Sequence, residues 1–230
     1  MKRIIKKALI NKVSAHIFIR PILQLHSLAL RLADILSIEL DGGVHPKHRI
    51  MKYKEWFLDQ IHPGWVVLDI GCSVGFMSEL LANKAGFVYG IEIKDTLVQE
   101  AKLKRKKHNI EYICADATTF DFSECRKIDC VILSNVLEHV EDRVYFLKRL
   151  MHNVNWNDVS HKRFLFRVPM INRDWIVPYK KEMELEYRSD KSHFTEYTFE
   201  DFEKELSSVG LQINRYSIKF GEIWAEAQYI

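Results

Sequence analysis

The sequence contains few of the residues that define disulfide-stapled, collagen-like or low-complexity proteins. Of its 230 residues, 4 are Cys, 5 are Pro and 9 are Gly, and the cysteines form no C-x-x-C pair. These counts exclude a small disulfide scaffold and a repetitive fibrous chain, and they predict a reduced, cytoplasmic protein. Because proline and glycine are scarce, each is expected to mark a specific turn.

Net charge and long apolar runs are also limited. The 34 Lys and Arg residues nearly balance the 31 Asp and Glu residues, which gives a formal net charge of +3. So small a charge does not favour a nucleic acid as the partner of the whole chain. The most apolar stretch, 21–40, is interrupted by polar and charged residues, so we expect no membrane span and no secretory signal.

The composition that remains is that of an ordinary globular domain with an extension, with 47% hydrophobic and 28% charged residues. Residues 1–58 predict an N-terminal helical extension, in which leucines and isoleucines recur at helical spacing over 25–36. One interpretation is a helix that packs on the main domain. The other is a basic amphipathic helix that contacts an anionic membrane from its cytoplasmic side, because 2–20 is rich in Lys and Arg and contains no acid.

From residue 59 onward the pattern changes to short apolar strands that alternate with helices. The predicted strands are 66–70, 87–93, 110–115, 128–134 and 164–168, followed by 212–218 and 222–228. Alternation of this kind predicts an α/β domain over 59–230, with a mostly parallel sheet and helices on both of its faces.

The first chemical signal is a glycine-rich loop after the first strand, in the segment VVLDIGCSVG (66–75). Gly71 and Gly75 allow the backbone to approach a ligand closely, and the following helix presents free N–H groups. A dinucleotide fingerprint would require glycine at two positions that hold Ser73 and Phe76, so NAD and FAD are not favoured. An acid in this loop, Asp69, instead favours a ligand that carries an amine or a sulfonium charge.

Polar groups also end the next three strands, at Glu92, Asp116 and Asn135. The carboxyl ends of parallel strands meet at one edge of the sheet, where open α/β folds bind ligands. Glu92 is placed to accept both hydroxyls of a ribose, and Asp116 to accept from an adenine amino group. The joint pattern predicts a nucleoside site.

These residues resemble the class I S-adenosylmethionine-dependent methyltransferases, through Asp69-Ile-Gly-Cys-Ser-Val-Gly75, Glu92, Ala115-Asp-Ala117 and Leu133-Ser-Asn-Val-Leu-Glu-His-Val140. The resemblance implies a Rossmann-like sheet of seven strands, the last antiparallel, with S-adenosyl-L-methionine as the cofactor. It implies that residues 1–58 cover the substrate. The cofactor-binding residues it implies are Asp69, Gly71, Cys72, Ser73, Gly75, Glu92, Ile93, Asp116, Ala117 and Asn135.

Candidate catalytic residues follow the fourth strand. Asn135, Glu138 and His139 have the i, i+3, i+4 spacing that puts three side chains on one side of a helix. Asn135 with Glu138 is also the spacing of a capping box, which would make Glu138 structural.

A second segment, RSDKSHFTEYTFEDF (188–202), resembles the distal histidine region of small-RNA 2′-O-methyltransferases. By that resemblance, and by a similar Glu-His in the ubiquinone-pathway O-methyltransferases, Glu138, His139 and His193 are candidate ligands for Mg²⁺ or Mn²⁺. Asn135 stands where the RNA enzymes have a second Glu, which leaves this set one carboxylate short for a hard cation. The alternative is that His139 or His193 acts as a general base on a hydroxyl.

Together these features predict a methyltransferase that acts on a small-molecule hydroxyl, in a glycan, a glycolipid precursor or a secondary metabolite. Aromatic and charged groups between the fifth strand and the next helix are candidates for the acceptor pocket: Trp175, Tyr179, Tyr187 and Arg188. The alternatives are an RNA 2′-O-methyltransferase and a module that binds S-adenosylmethionine without catalysis.

Overall fold

The computed structural model describes residues 12–229. In chain order its elements are α1 (Lys12–Leu40), α2 (Lys47–Met51), α3 (Tyr53–Gln60), β1 (Val66–Ile70), α4 (Phe76–Leu81), β2 (Phe87–Glu92), α5 (Asp95–Lys104), β3 (Ile110–Cys114), β4 (Cys130–Ser134), α6 (Arg143–Asn153), β5 (Arg163–Pro169), α7 (Ile176–Glu182), α8 (Phe199–Ser207), β6 (Leu211–Lys219) and β7 (Glu222–Tyr229). Short 3₁₀ turns lie at Phe122–Glu124 and Leu137–His139.

The elements form two compact units. The first unit contains the chain up to Met51 together with 174–187, and the second contains 52–173 and 188–230. The division falls after Met51, before α3, and it assigns α7 to the first unit. The role of the N-terminal segment as a substrate cover stays a prediction, and part of its basic stretch, residues 1–11, lies outside the described residues.

The second unit contains the predicted seven-stranded sheet, in the order β3-β2-β1-β4-β5-β7-β6. Neighbouring strands from β3 to β5 are parallel, whereas β7 pairs antiparallel with both β5 and β6. The strand order reverses direction between β1 and β4, and the carboxyl ends of strands at such a point form the crevice in which α/β folds bind ligands. The predicted fold class is confirmed.

Burial explains why the central strands are almost continuously apolar. β1 and β4 lie inside the sheet, and helices cover both of its faces, so Val67, Leu68, Val131 and Leu133 have no solvent exposure. Bulky aromatic side chains fill the space between sheet and helices. The largest buried ones are Trp224, Phe57, Phe122, Phe146, Phe164, Phe166 and Phe202.

Two local features shape the helices outside the sheet. Lys52 has a left-handed backbone (φ 53°) that separates α2 from α3. The long connection after β5 contains α7. The Asx-type contact from Asp174 Oδ1 to the N–H groups of Ile176 and Val177 (2.6 and 3.0 Å) begins that helix.

The structure also contains a helix that is long and apolar enough, by length and composition alone, to cross a membrane. That stretch is Val13–Leu40, where polar residues interrupt the apolar run and no span was expected from the sequence. Near the N-terminus such a helix is weak evidence for a membrane crossing.

Candidate active site

A pocket opens at the carboxyl ends of β1, β2 and β3 and encloses about 530 Å³ of space, part of it open to solvent. Its lining includes Gly71, Glu92, Ile93, Asp116, Ala117 and His139 among residues predicted for the site, together with Ile70, Ile91, Ala115, Thr118, Val136, Val140 and Phe146. Six of the residues predicted separately along the chain therefore line one pocket.

Two positions of the glycine loop leave no room for a side chain. Gly71 has φ +72°, and a Cβ there would lie 2.5 Å from Val136 Cγ2. Gly75 has φ +82°, and its Cβ would meet the Tyr112 hydroxyl at 2.5 Å. Both positions therefore require glycine for backbone and space. Ser73 also has a positive φ, 51°, without being glycine.

Glu92 is held in a fixed orientation at the end of β2. It is only 9% exposed, and its two carboxylate oxygens accept from the N–H groups of Ser73 (3.1 Å) and Lys94 (3.0 Å). Each oxygen of an ionised carboxylate has a second lone pair, so both remain able to accept from a ligand hydroxyl. The side chain thus ties the glycine loop to β2 while it faces the pocket.

Asp116 is exposed and belongs to the turn after β3. Its Oδ1 accepts from the N–H and the hydroxyl of Thr118, at 2.8 and 2.7 Å. This local turn fixes the carboxylate at the rim of the pocket, next to Ala117 and across from the exposed Ile93.

Other residues predicted to bind the cofactor lie outside this lining: Asp69, Cys72, Ser73, Gly75 and Asn135. Asp69 is buried, and its Oδ2 accepts a 2.6 Å hydrogen bond from the Ser78 hydroxyl, so it connects β1 to α4. Burial raises the pKa of Asp69 to about 7 and also raises the pKa of the Cys72 thiol. Their contact with a cofactor stays a prediction.

The turn after β4 does not form the helix that the i, i+3, i+4 spacing suggested. Asn135 has a left-handed backbone (φ 56°), and the next three residues form the 3₁₀ turn. That turn begins without a side-chain cap, so the capping-box interpretation of Asn135 and Glu138 was wrong. As a result Glu138 is fully buried whereas His139 is exposed, and the two do not share one side of a helix.

The tertiary structure nevertheless brings Glu138 and His139 together with His193. One ligand atom from each of the three residues lies within 4.8 Å of the others. The two imidazole rings meet edge to face, with centroids 4.6 Å apart. The N–H of Phe194 donates to the Glu138 carbonyl at 2.8 Å, which joins the two segments that carry these side chains.

Each histidine has one ring nitrogen engaged by an outer partner. His193 Nδ1 lies 3.2 Å from Glu196 Oε1, and a carboxylate can only accept, so this nitrogen carries the proton. His139 Nδ1 lies 3.0 Å from the Ser192 hydroxyl, which itself lies 2.8 Å from Asp190 Oδ1. In both rings Nε2 is then the nitrogen that these outer partners leave for a ligand.

The charges of the site follow from burial and from these partners. Both oxygens of Glu138 are buried and have no hydrogen-bond partner among the described residues, and burial raises its pKa to about 8. Burial and the neighbouring His193 lower the pKa of His139. Burial alone would raise the pKa of Glu196, but hydrogen bonds from His193 and Arg173 lower it to about 2. The site therefore combines two imidazoles, an unpaired buried carboxyl group and a charged carboxylate behind them.

The outer partners Glu196 and Ser192 were not predicted from the sequence. The spacing His193-x-x-Glu196 was the available signal, but without a helix or a known partner it had no stated role. Of the residues predicted for the acceptor pocket, Arg188 donates to the carbonyl of His193 at 2.9 Å. Trp175, Tyr179 and Tyr187 belong to the first unit, and their role stays a prediction.

Part of the chain is similar in sequence to known methyltransferases. Residues 68–154, which span β1 to the end of α6, match the model of a family described as a methyltransferase domain. The chain is 30% identical over 111 residues to a ubiquinone biosynthesis O-methyltransferase of Coxiella burnetii, covering 46% of this chain and 47% of the relative. With the protein of the same name from Bradyrhizobium diazoefficiens it shares 33% identity over 114 residues, covering 49% and 42%. The chain thus spans about half the length of the curated relatives it matches.

Solved structures share the fold at low sequence identity. Magnesium protoporphyrin IX methyltransferase of Synechocystis PCC 6803, solved with bound SAH, has a TM-score of 0.60 and 22% identity over 80% of this chain and 83% of that one. A methyltransferase of Haloferax volcanii in complex with the Trm112 activator has a TM-score of 0.62 and 12% identity over 79% and 91%. The sheet order and the family model agree: the α/β unit contains a segment, residues 68–154, that matches the methyltransferase-domain family.

Proposed function

We propose that this chain transfers a methyl group from S-adenosylmethionine to a hydroxyl oxygen of a small-molecule acceptor. The observation that carries the proposal concerns His139, which lines the pocket together with Glu92 and Asp116 and also belongs to the cluster with Glu138 and His193. A group able to bind or deprotonate a hydroxyl thus lies beside the predicted cofactor. Methyl transfer is an in-line displacement in which positioning supplies much of the rate, so this adjacency suits the reaction.

The pocket residues fit the cofactor in chemistry. Glu92 has free lone pairs for the ribose hydroxyls, Asp116 lies at the rim where it can accept from the adenine amino group, and the tight turn at Gly71 leaves room for close backbone approach. These residues would hold S-adenosylmethionine, which supplies an electrophilic methyl group when it is bound. The protein itself would have to remove or neutralise the proton of the acceptor hydroxyl.

The cluster of Glu138, His139 and His193 also has the chemistry that a divalent metal requires. Two imidazole Nε2 atoms and one buried carboxyl group without a partner form a two-histidine, one-carboxylate set with open positions for other ligands. With one carboxylate, the set suits Mn²⁺, Fe²⁺ or Zn²⁺ better than Mg²⁺. A metal held there would act as a Lewis acid on the acceptor hydroxyl.

Direct base catalysis is the second candidate mechanism. The lowered pKa of His139 keeps its imidazole neutral at pH 7, with Nε2 able to accept a proton.

The acceptor class that we favour is a hydroxyl of a glycan, a glycolipid precursor or a secondary metabolite. The similarity to ubiquinone biosynthesis O-methyltransferases supports oxygen as the methylated atom. Cytoplasmic localisation stays a prediction.

The test of the activity is mass spectrometry of a metabolite extract incubated with the protein and S-adenosylmethionine. Parallel incubations use the cofactor with an ordinary and with a trideuterated methyl group, so that a true product appears as a matched pair of masses. A Glu92→Ala variant is the control and should give no pair. Cofactor binding without any methylated product would support the non-catalytic module, and product confined to added RNA would support the RNA enzyme.

The test of the metal uses protein stripped with a chelator and titrated with Mn²⁺, Zn²⁺ or Mg²⁺ by calorimetry. We expect Mn²⁺ and Zn²⁺ to bind more tightly than Mg²⁺, and the Mn²⁺ complex to show imidazole nitrogen couplings in pulsed EPR. Glu138→Gln should weaken binding. Turnover that is indifferent to the chelator, with no metal bound, would favour direct base catalysis.

A further inference from the structure

The apolar face of α1 is turned toward solvent. Six of its large side chains recur at intervals of three or four residues and form one stripe, and each is more than half exposed: Phe18, Ile22, Leu25, Leu28, Leu32 and Ile35. An amphipathic helix of a soluble protein normally buries this stripe. Among the described residues of α1, only Leu23 is buried.

The opposite side of the same helix faces its own unit. At 3.6 residues per turn, Leu23 and Ser27 lie about half a turn away from the stripe. The Ser27 hydroxyl accepts from the Lys180 ammonium of α7 at 2.7 Å and donates to the Leu23 carbonyl at 3.1 Å. The polar side of α1 is thus attached to a charged helix, which leaves the stripe as the outward surface.

Most of the charges around the stripe are positive. Arg20 and Arg31 are exposed and flank the stripe, and the first 33 residues contain seven Lys and Arg and no acid. The exposed acids of α1, Asp34 and Glu39, lie at its C-terminal end. Cations beside an exposed apolar stripe complement the phosphate groups and acyl chains of an anionic bilayer. A second copy of the same chain would bring these cations together, which disfavours a dimer through this face.

From this arrangement we infer that α1 is a membrane-binding helix that lies in the plane of an anionic lipid surface, with the stripe inserted among the acyl chains. A transmembrane arrangement is disfavoured because the centre of α1 is attached to Lys180. Spanning would place the ammonium of Lys180, with Lys181 and Glu182 beside it, near the middle of the bilayer. In the plane, those charges remain on the aqueous side.

The experiment is sedimentation of the full chain with vesicles of phosphatidylglycerol mixed with phosphatidylcholine, and with phosphatidylcholine alone. We expect tighter binding to the anionic vesicles, with a decrease as NaCl is added. Leu25→Ser, in the stripe and 64% exposed, should lower the partition coefficient about tenfold. Leu30→Ser is the matched control, because Leu30 is 53% exposed on the same helix but lies outside the stripe, and it should have little effect.

The contribution of the two arginines to vesicle binding is tested with a double variant, Arg20→Gln with Arg31→Gln. This variant should reduce the preference for anionic vesicles by about fivefold per charge. Calorimetric affinity for S-adenosylmethionine should be unchanged in all these variants, which shows that they fold and separates this inference from the proposed function. Equal effects of Leu25→Ser and Leu30→Ser would overturn the inference. So would equal binding to both kinds of vesicle, a dimer that Leu25→Ser dissociates without any vesicle binding, or retention in the bilayer after alkaline carbonate extraction.

Discussion

His139 and His193, far apart in the sequence, meet edge to face with ring centroids 4.6 Å apart, and each has its Nδ1 turned toward an outer partner. A buried carboxyl group without a hydrogen-bond partner, beside two imidazole rings, is unusual in a purely structural core.

The first prediction concerns the two histidines themselves. His139→Ala and His193→Ala should each lower turnover by about 10²–10⁴, because each removes a base or a metal ligand. Calorimetry should show nearly unchanged affinity for S-adenosylmethionine. His152→Ala, on the exposed end of α6, is the matched control and should keep wild-type turnover. Wild-type turnover in both site variants, or their failure to fold, would make the pair structural.

The second prediction concerns Glu196 as a positioning residue. Its carboxylate accepts from His193 Nδ1 and receives a hydrogen bond from Arg173, so it fixes the ring with Nε2 exposed to the site. Glu196→Gln should weaken Mn²⁺ binding by about 10–100-fold, while Ser192→Ala, which removes a neutral partner of His139, should weaken it less. Calorimetry of the stripped protein measures both, and Glu196→Asp should recover part of the affinity. Equal affinity in Glu196→Gln and wild type would contradict this role.

The third prediction concerns the cofactor. Glu92→Ala removes the acceptor for two ribose hydroxyls, and each charge-assisted bond contributes about 1.5–3 kcal/mol. Asp116→Ala should weaken S-adenosylmethionine binding less, because a single bond to adenine is lost. Glu111→Ala on the exposed side of β3 is the control. Unchanged calorimetric affinity of the Glu92 variant would remove Glu92 from the binding site.

The fourth prediction concerns pH and Asp69. Its pKa of about 7 in the folded protein lies above the ordinary value of 3.8, so the folded state binds this proton more tightly than the unfolded state. The free energy of unfolding should therefore decrease as pH rises from about 4 to about 7, by on the order of 3 kcal/mol from this group. Glu138 contributes with the same sign up to about pH 8.

Asp69→Asn isolates the Asp69 part of this slope. The amide still accepts from Ser78 but does not ionise, so urea unfolding between pH 4 and 7 should show a shallower decrease than wild type. An identical slope in the two proteins would show that Asp69 ionises normally in the folded state.

The fifth prediction concerns the glycine turn. Gly71→Ala places a Cβ 2.5 Å from Val136 Cγ2 and strains a left-handed backbone, which costs an L-residue about 1–2 kcal/mol before the clash is counted. S-adenosylmethionine affinity and the thermal midpoint should both decrease. Adding Val136→Ala relieves the clash alone and should restore part of the midpoint. A double variant that is no better than Gly71→Ala would place the whole effect in the backbone.

The sequence by itself determined the sheet and the first half of the site. Buried parallel strands are covered on both faces, so they read as continuous apolar runs, and β1 begins and ends where the pattern predicted. Local chemistry also specified the start of α8, where the Thr198 side chain accepts from the N–H of Asp201 at 3.1 Å. Gly71, Glu92 and Asp116 were identifiable because each ends a strand at a fixed place in the topology.

Only the tertiary structure decided how the second half of the site is arranged. The left-handed backbone of Asn135 and the 3₁₀ turn after it send Glu138 into the core and His139 toward the pocket, although helical spacing predicted a shared side. The contact of His193 with His139 depends on chain segments that are distant in sequence, which no local periodicity encodes. The outward side of α1 was also decided by the tertiary structure. The apolar stripe was visible in the sequence, but the hydrogen bond between Ser27 and Lys180 determines which side of the helix faces outward.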